Sequence, residues 1–196
     1  MARDLQGKKV AFLATDTYEE SELKKPWQAL EEAGAELELV SIKEGEITAL
    51  DEQELKRGAT HPVDKLASEA RADDYDALVL PGGVGNPDKL RMDPDAVEFV
   101  RAFFEAGKPV GAICHGQWTI VEADMARGRT LTSFQSIKTD IRNAGGTWVD
   151  EEVHVDQGLV TSRKPNDIPA FVEKLIEEIA EGKHAGQKQK SGAATA

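Results

Sequence analysis

The chain has 196 residues, of which 40% are hydrophobic and 31% charged, a composition typical of a soluble domain with one sizeable core. Its formal net charge of −12, with no basic stripe to offset it, argues against electrostatic binding to nucleic acid or to an anionic membrane. The N-terminus lacks the apolar stretch of a signal peptide, no segment reaches membrane-spanning length and the single cysteine cannot form an intramolecular disulfide, so we predict a cytoplasmic protein.

Short apolar runs alternate along the chain with longer amphipathic segments. The predicted strands are residues 10–15, 37–40, 76–80 and 109–113. The predicted helices lie around residues 23–30, 95–106, 117–127 and 167–179. Pro26 lies inside the first helical pattern, so that helix is expected to start near Pro26 or to bend there. Residues 44–64 are polar and punctuated by glycine, which favours a loop or a small hairpin.

The C-terminal third predicts further strands at an edge of the sheet. These are residues 130–132 and 148–149, and a hairpin that turns at residues 156–158. The alternation of strands and helices predicts an α/β protein with a mostly parallel sheet and helices on both faces. No internal repeat or linker divides the chain, so we predict one domain over residues 1–181. Residues 182–196 contain almost no large apolar side chains and are predicted to be a disordered tail.

The most informative motif is Cys114-His115-Gly116, which directly follows the predicted strand 109–113. A thiol at the turn from a buried strand to a helix is presented outward at the tip of the sheet, and the amides of the next helix favour its anionic form. We therefore predict that Cys114 is a nucleophile, and that His115 is its base or orienting group if the turn brings the ring beside the sulfur. The structural alternative is a small buried cysteine.

An acidic loop is predicted to leave the same edge of the sheet. Residues 16–22 carry carboxyl groups at Glu19, Glu20 and Glu22. One of them would hydrogen-bond the sulfur and shuttle a proton. The spacing does not choose among the three, and all are equally consistent with solvated charges at the start of a helix.

A second loop at this edge contains Gly82 and Gly83. Two glycines allow backbone amides to approach a substrate oxygen closely, and together with the amide of His115 they would form an oxyanion hole. The alternative is that the glycines only form a tight turn after Pro81.

The remaining candidates carry weaker signals. Trp118, four residues beyond the cysteine, either anchors the core or lines the substrate pocket. His61, His154 and His184 show no metal-ligand spacing, so we predict no metal site, and His184 falls in the predicted tail. A glutamine amidotransferase needs a late His-x-Glu dyad, and the nearest match, His154 with Asp156, lies in the predicted edge hairpin.

Together these segments resemble the ThiJ/PfpI superfamily, and specifically its intracellular protease I branch. The likeness covers roughly residues 8 to 180 in order, and its most specific parts are Leu80-Pro81-Gly82-Gly83 and Cys114-His115-Gly116. Other matching segments are residues 12–14, 18–23, 107–113, 126–129, 137–140, 143–146, 148–150 and 162–163. The resemblance implies a flavodoxin-like three-layer sandwich, a homodimer or larger homo-oligomer, and no cofactor.

The resemblance also implies roles for single residues. It matches the family's acid partner of the nucleophile to Glu19, which leaves Glu20 and Glu22 as surface residues. It matches the acid that reaches the histidine across a subunit interface to Asp88, where the founding branch carries glutamate. A second departure is Gln117, which stands where the family often has proline, so the pocket is expected to differ in shape.

Activities described for the family are those of a peptidase, of a glyoxalase acting on small 2-oxoaldehydes, and of a deglycase that removes early glycation adducts. All three begin with attack of a thiolate on an electrophilic carbon. We therefore expect a cysteine-dependent hydrolase of the stress-response kind, with a small-molecule, glycated or peptide substrate. The alternative is a redox sensor or holdase, in which Cys114 is oxidised to a sulfinic acid stabilised by Glu19.

Overall fold

The computed structural model describes residues 4–51 and 56–187. Its strands are β1 (Lys9–Leu13), β2 (Glu36–Ser41), β3 (Glu46–Asp51), β4 (Lys56–Pro62), β5 (Lys65–Leu66), β6 (Ala77–Leu80), β7 (Val110–Ile113), β8 (Thr130–Leu131), β9 (Thr147–Trp148), β10 (Val153–Asp156) and β11 (Leu159–Ser162). Its α-helices are α1 (Glu20–Glu32), α2 (Gly85–Leu90), α3 (Pro94–Glu105), α4 (Gln117–Glu122), α5 (Lys138–Asn143) and α6 (Ile168–Glu181). Short 3₁₀ turns cover Ala72–Asp74, Gln135–Ile137 and Pro165–Asp167.

A seven-stranded sheet in the order β10-β11-β7-β6-β1-β2-β5 forms the centre of the fold. Its neighbouring strands are parallel, except for the antiparallel β10–β11 pair at one edge. The carboxyl ends of β1, β6 and β7 therefore lie side by side, where ligand sites of such sheets are found. This architecture confirms the predicted flavodoxin-like sandwich.

The side chains of β1 show how the sheet is covered on both faces. Ala11 and Leu13 belong to one apolar core, which includes Phe103 of α3. Val10 and Phe12 point to the other face and belong to a second core, formed with residues of α1 and α6. A strand buried on both faces reads as a continuous apolar run, and for this reason the central strands were predictable from the sequence.

Two uncertain predictions in the first half of the chain are resolved. The polar stretch from residue 44 to residue 64 contains the antiparallel β3–β4 hairpin. The hairpin is hydrogen-bonded to the loop after β1: the amide of Thr17 donates to the carbonyl of Thr48 at 2.7 Å. Helix α1 begins at Glu20 and contains Pro26, so it does not start at the proline. Pro26 has no N–H, so one hydrogen bond to the preceding turn of α1 is missing.

Two other predictions need correction. Strands β8 and β9 pair with each other in a separate two-stranded parallel sheet, and only β10 occupies the edge of the main sheet on that side. Helix α4 ends at Glu122 rather than at residue 127. Within the part of the chain that the structure describes, no helix has both the length and the apolar character needed to cross a membrane.

The C-terminal segment of residues 182–187 is packed against the domain, so the predicted disorder is wrong for these residues. The amide of His184 donates to the carbonyl of Gly107 at 2.8 Å. Gln187 is fully buried, and its carbonyl accepts a hydrogen bond from the guanidinium of Arg129 at 3.0 Å. These contacts use backbone groups and polar side chains, which hydrophobic patterning does not reveal. Residues 188–196 lie outside the described residues.

Candidate active site

Cys114 occupies a sharp turn between the end of β7 at Ile113 and the start of α4 at Gln117. Its φ of 65° lies in the left-handed region, which is uncommon for residues other than glycine and costs about 1–3 kcal/mol. Backbone hydrogen bonds hold the turn on both sides, from the Cys114 amide to the carbonyl of Ser162 at 3.1 Å and from the Phe134 amide to the carbonyl of Cys114 at 2.9 Å. A strained residue fixed in this way is a feature of functional sites.

The surroundings of the thiol differ from the expectation that it is presented outward. Cys114 is 5% exposed and belongs to the apolar core on the α1 and α6 face. Gly116 allows this close packing, because a Cβ at that position would lie 2.4 Å from the carbonyl oxygen of Leu80. The groups around the sulfur nevertheless include two that ionise, Glu22 and His115, so the site is buried but not apolar.

Glu22 is the carboxyl group that the structure places beside Cys114. It is completely buried, and its Oε2 accepts a hydrogen bond from the amide of Gly82 at 2.9 Å. A Cβ built on Gly82 would lie 2.6 Å from Glu22 Oε2 and 2.7 Å from Cys114 Cβ. The carboxylate and the cysteine are therefore neighbours on the two sides of a glycine that leaves room for both.

Glu19 has a different position from the one that the family resemblance implied. It is the N-cap of α1, and its carboxylate accepts hydrogen bonds from the amide of Ser21 at 3.4 Å and from the Ser21 hydroxyl at 2.9 Å. The expectation that Glu22 is a surface residue is wrong. Glu22, Pro26 and Leu30 follow one another at a spacing of four residues on the buried face of α1. Glu19 has the same spacing to the buried Leu23, so the spacing alone does not separate the two carboxylates. What separates them is the start of α1, because Glu19 precedes the helix and Glu22 lies in its first turn.

The turn brings the ring of His115 beside the sulfur. His115 Nδ1 lies 3.2 Å from Cys114 Sγ, and Nε2 lies 3.0 Å from the hydroxyl oxygen of Ser136. The ring stacks on Phe134 at 4.9 Å and meets the edge of Trp118 at 5.3 Å, measured between ring centroids. Two polar contacts and two aromatic walls therefore fix its orientation.

The two glycines after Pro81 bring the loops together, but not in the way that the sequence suggested. The Gly82 amide donates to Glu22 and is therefore already engaged within the site. Gly83 has a φ of 80°, and a Cβ there would lie 2.6 Å from the carbonyl oxygen of Thr17. Gly83 is thus required for the close approach of the loop after β6 to the loop after β1.

Trp118 and Asp88 were also predicted to belong to the site. Trp118 is half-buried beside His115, and its indole N–H donates to Asp140 Oδ2 at 2.8 Å. Asp88 is exposed on the short helix α2. The proposed contact of Asp88 with a histidine across a subunit interface involves a second chain and stays a prediction.

Sequence reasoning missed the role of Gln117, the residue that replaces the family's frequent proline. Its side chain is fully buried, and Nε2 donates to the carbonyl oxygens of Thr132 at 2.8 Å, Ser162 at 3.1 Å and Ala112 at 3.2 Å. These acceptors belong to three segments that surround the cysteine turn. Gln117 therefore ties the turn to β11 and to the loop after β8.

Sequence reasoning also missed Asn86, whose side chain connects two loops on the other side of the site. Its Oδ1 accepts a hydrogen bond from the amide of Thr15 at 2.7 Å, and its Nδ2 donates to the carbonyl of Pro81 at 2.9 Å. It thereby joins the loops that follow β1 and β6. A buried amide side chain has no signature in a single sequence, because Asn and Gln are more often exposed.

The amidotransferase alternative finds no support among the described residues. His154 pairs with Glu151, Nδ1 to Oε2, at 2.7 Å, and Asp156 accepts a hydrogen bond from the amide of Thr130 at 2.6 Å. Both residues lie on β10, the outermost strand, and each is engaged away from the cysteine turn.

Comparison with known proteins gives a consistent result. Residues 8–178 match the model of the DJ-1/PfpI family. The chain is 43% identical over 165 residues to "Protein/nucleic acid deglycase 2" of Escherichia coli, covering 84% of this chain and 93% of that protein. It is 39% identical over 168 residues to "Deglycase PfpI" of Pyrococcus furiosus, covering 86% and 97%.

A solved structure agrees with the sequence relatives. A two-domain protein from Anabaena variabilis, with DJ-1/ThiJ/PfpI-like and ferritin-like domains, superimposes with a TM-score of 0.82 at 32% identity and covers 95% of this chain. The chain spans about half of that protein, 54% of its length. The family match, the curated relatives and the fold agree, and the chain belongs to the DJ-1/PfpI family.

Proposed function

We propose that the chain is a cysteine-dependent deglycase, which removes adducts of methylglyoxal-type 2-oxoaldehydes from amines and thiols in the cytoplasm as part of a stress response. The observation that carries the proposal is the position of the Cys114 sulfur in a strained turn, 3.2 Å from His115 Nδ1 and next to the buried carboxyl of Glu22. The names of the curated relatives support this reaction class.

The proposed reaction needs a thiolate and the transfer of two protons within the adduct, but no oxidant. The Cys114 sulfur bonds to the hydroxyl-bearing carbon of the adduct, and the bond from that carbon to the glycated nitrogen or sulfur breaks. The hydrogen on this carbon then leaves as a proton and returns to the neighbouring ketone carbon, while the proton of the hydroxyl group moves to the ketone oxygen. The ketone thereby becomes an alcohol, and the sulfur-bearing carbon becomes a thioester. Water hydrolyses the thioester, which releases lactate and regenerates the thiol.

We assign roles to the surrounding residues from their positions. Glu22 lies beside the cysteine and is fixed by the Gly82 amide at 2.9 Å, so it is placed to carry the proton between the two carbons. His115 exchanges the thiol proton and protonates the leaving group. Because Gly82 N–H is engaged by Glu22, we infer that the amides of Gly83 and His115 stabilise the substrate oxygen.

The decisive experiment is a substrate panel with methylglyoxal, methylglyoxal-modified N-acetyllysine and N-acetylcysteine, and fluorogenic peptides. Lactate is measured for the first three, with the wild type compared with Cys114→Ala. We expect lactate from the adducts in the wild type and none in a folded Cys114→Ala variant. Retained turnover in that variant would exclude covalent catalysis by Cys114. Rapid peptide cleavage without lactate would instead identify a peptidase.

The same protein samples distinguish a redox sensor from a deglycase. After mild peroxide treatment, a sensor shows a mass increase of two oxygen atoms at Cys114 and no turnover of any member of the panel. A deglycase shows turnover before treatment and loses it as the cysteine is oxidised.

We also propose that the chain forms a homodimer or a larger homo-oligomer in which Asp88 reaches the partner's active site. Val84 and Met92, at the two ends of the α2 region that carries Asp88, are 44% and 74% exposed, so an exposed apolar side chain lies at each end of this region. Light scattering after gel filtration tests the assembly. Asp88→Asn is expected to lower turnover only if the oligomer is present.

A further inference from the structure

Three potential metal ligands meet at the carboxyl end of α6, far from the cysteine turn. Glu178 and Glu181 are three residues apart and face the same side of the helix, and His184 lies three residues beyond the end of the helix at Glu181. One ligand atom from each residue lies within 4.8 Å of those of the other two. His184 Nε2 and Glu178 Oε2 are 3.3 Å apart.

His184 is held in this position by the domain. Its amide donates to the carbonyl of Gly107 at 2.8 Å, and its carbonyl accepts from the amide of Gln187 at 3.1 Å. The imidazole rests against Gly158, where a Cβ would lie 2.6 Å from His184 Cδ2. The ring therefore packs between the turn before β11 and the end of α6.

The polar groups of this cluster are more deeply buried than those of an ordinary surface ion pair. Glu178 is 9% exposed. His184 Nε2 is buried and makes no hydrogen bond of suitable geometry within the described chain, although Glu178 lies 3.3 Å away. Lys174, a cation of the same helix, is paired with Glu177 at 2.7 Å.

We propose that Glu178, Glu181 and His184 form a binding site for a divalent transition metal of the Zn²⁺ class, with water completing the coordination. Two carboxylates and an imidazole suit Zn²⁺ and Co²⁺, and the two carboxylates balance the charge of the ion. Ligand atoms of a tetrahedral zinc site are about 3.4 Å from one another, given bonds of roughly 2.0–2.2 Å. The separation of 3.3 Å between His184 and Glu178 fits this value, and the exposed side chain of Glu181 closes the remaining distance by rotation.

This site is separate from the proposed chemistry of Cys114. Gly107 precedes β7 and Gly158 precedes β11, whereas Cys114 follows β7. The two ends of the four-residue strand β7 are roughly 10 Å apart, so the metal would lie at the opposite edge of the sheet. A metal there would cross-link α6 to residues 182–187 and stabilise the packing of the C-terminal segment.

The test is binding of Zn²⁺, measured by calorimetry, and of Co²⁺, measured by its visible absorption, to the metal-free full-length protein. Measurements in the Cys114→Ala background exclude binding by the thiol. We expect one equivalent to bind and to raise the Tm. His184→Gln and Glu181→Gln should each weaken binding by about 10- to 100-fold. Glu181 is exposed, so its substitution should cost little stability.

His154→Gln is the matched control, because His154 also pairs with a glutamate, Glu151, but no third potential metal ligand joins this pair among the described residues. It should bind Zn²⁺ as the parent does. The proposal is overturned if the parent protein binds no metal, or if the affinity and the Tm shift are the same in His184→Gln, Glu181→Gln and His154→Gln. In that last case the ion binds only to the general acidic surface.

Discussion

Cys114 Sγ lies 3.2 Å from Nδ1 of His115, its immediate neighbour in the chain. Adjacent side chains of an extended strand point to opposite faces, so this contact exists only because Cys114 adopts a φ of 65°. The strain at one residue thus creates the pair on which the proposed chemistry depends. The ring is kept there by Ser136 and by the aromatic walls of Phe134 and Trp118.

Ser136→Ala tests how much the outer hydrogen bond of His115 contributes. The side chain of Ser136 is exposed on a 3₁₀ turn, so stability should stay within about 0.5 kcal/mol of the wild type. We expect kcat to fall by about 2- to 10-fold, the equivalent of one hydrogen bond of roughly 0.5–1.5 kcal/mol. Steady-state kinetics on the adducts measure the effect. Ser136→Thr keeps a hydroxyl and should restore most of the loss, and failure of this rescue would argue against a positioning role.

A matched pair of substitutions distinguishes Glu22 from Glu19. Glu22→Gln preserves the shape and can still accept the Gly82 hydrogen bond, but cannot carry a proton, so lactate formation should fall by about 10²- to 10⁴-fold. Glu19→Gln changes only the N-cap of α1 and should cost at most about 1 kcal/mol of stability, with turnover retained. The opposite result, with Glu19→Gln inactive and Glu22→Gln active, would restore the assignment that the family resemblance implied.

Gly82→Ala tests whether the site depends on the close packing of Glu22 and Cys114 around Gly82. The added methyl group would lie 2.6 Å from Glu22 Oε2 and 2.7 Å from Cys114 Cβ, so one of the two must move. We expect a loss of about 1–3 kcal/mol in the free energy of unfolding and strongly reduced turnover. Gly7→Ala is the control for the general cost of removing a glycine. It lies at a φ of 78° with no atom within 4 Å of the new Cβ, so stability alone should decrease.

Much of the fold could be predicted because the hydrophobic pattern of its central strands is visible in short stretches of sequence. The strands β1, β6 and β7 are continuous apolar runs, and β1 alternates its side chains between two cores, as a sheet covered on both faces requires. The cysteine turn was visible for the same reason, since it interrupts such a run. The distinction between Glu19 and Glu22 depends on where α1 begins, because each lies four residues before a buried residue of that helix. Pro26 obscured this start in the sequence.

The parts that were missed depend on polar contacts between distant segments. Gln117 and Asn86 are fully buried and bond to backbone carbonyls and amides of other loops, which no sequence periodicity encodes. The packing of residues 182–187 has the same origin, because the amide of His184 binds Gly107 and the carbonyl of Gln187 binds Arg129.

Gln117→Pro introduces the residue that the family often has at this position and should nevertheless destabilise this chain. Proline fits the first turn of a helix, so α4 itself is not disturbed. The carbonyl oxygens of Thr132, Ser162 and Ala112 would lose their shared donor in the interior. We expect a loss of about 1–3 kcal/mol in the free energy of unfolding, measured by urea denaturation. A proline variant as stable as the wild type would show that water replaces the amide.

The two tyrosines of the chain should make stability fall at alkaline pH. Burial raises the pKa of Tyr18 to about 12, and burial together with the hydrogen bond to Glu38 raises the pKa of Tyr75 further. In the unfolded chain both phenols ionise near their ordinary value of about 10. The unfolded state therefore releases protons first as pH rises above 10, so the stability contributed by each neutral phenol is full below pH 10 and is lost as pH approaches the folded-state value.

Absorbance of tyrosinate at alkaline pH measures this directly. The native protein should show no tyrosine ionisation near pH 10, whereas urea-unfolded protein should ionise both groups there. Tyr18→Phe removes the phenol that donates to the carbonyl of Ala59 at 3.3 Å, and its stability should decrease less steeply between pH 10 and pH 12 than that of the wild type. Native ionisation of both tyrosines near pH 10 would contradict the burial of the phenols, and with it the packing of Tyr18 against the β3–β4 hairpin next to the acidic loop of the site.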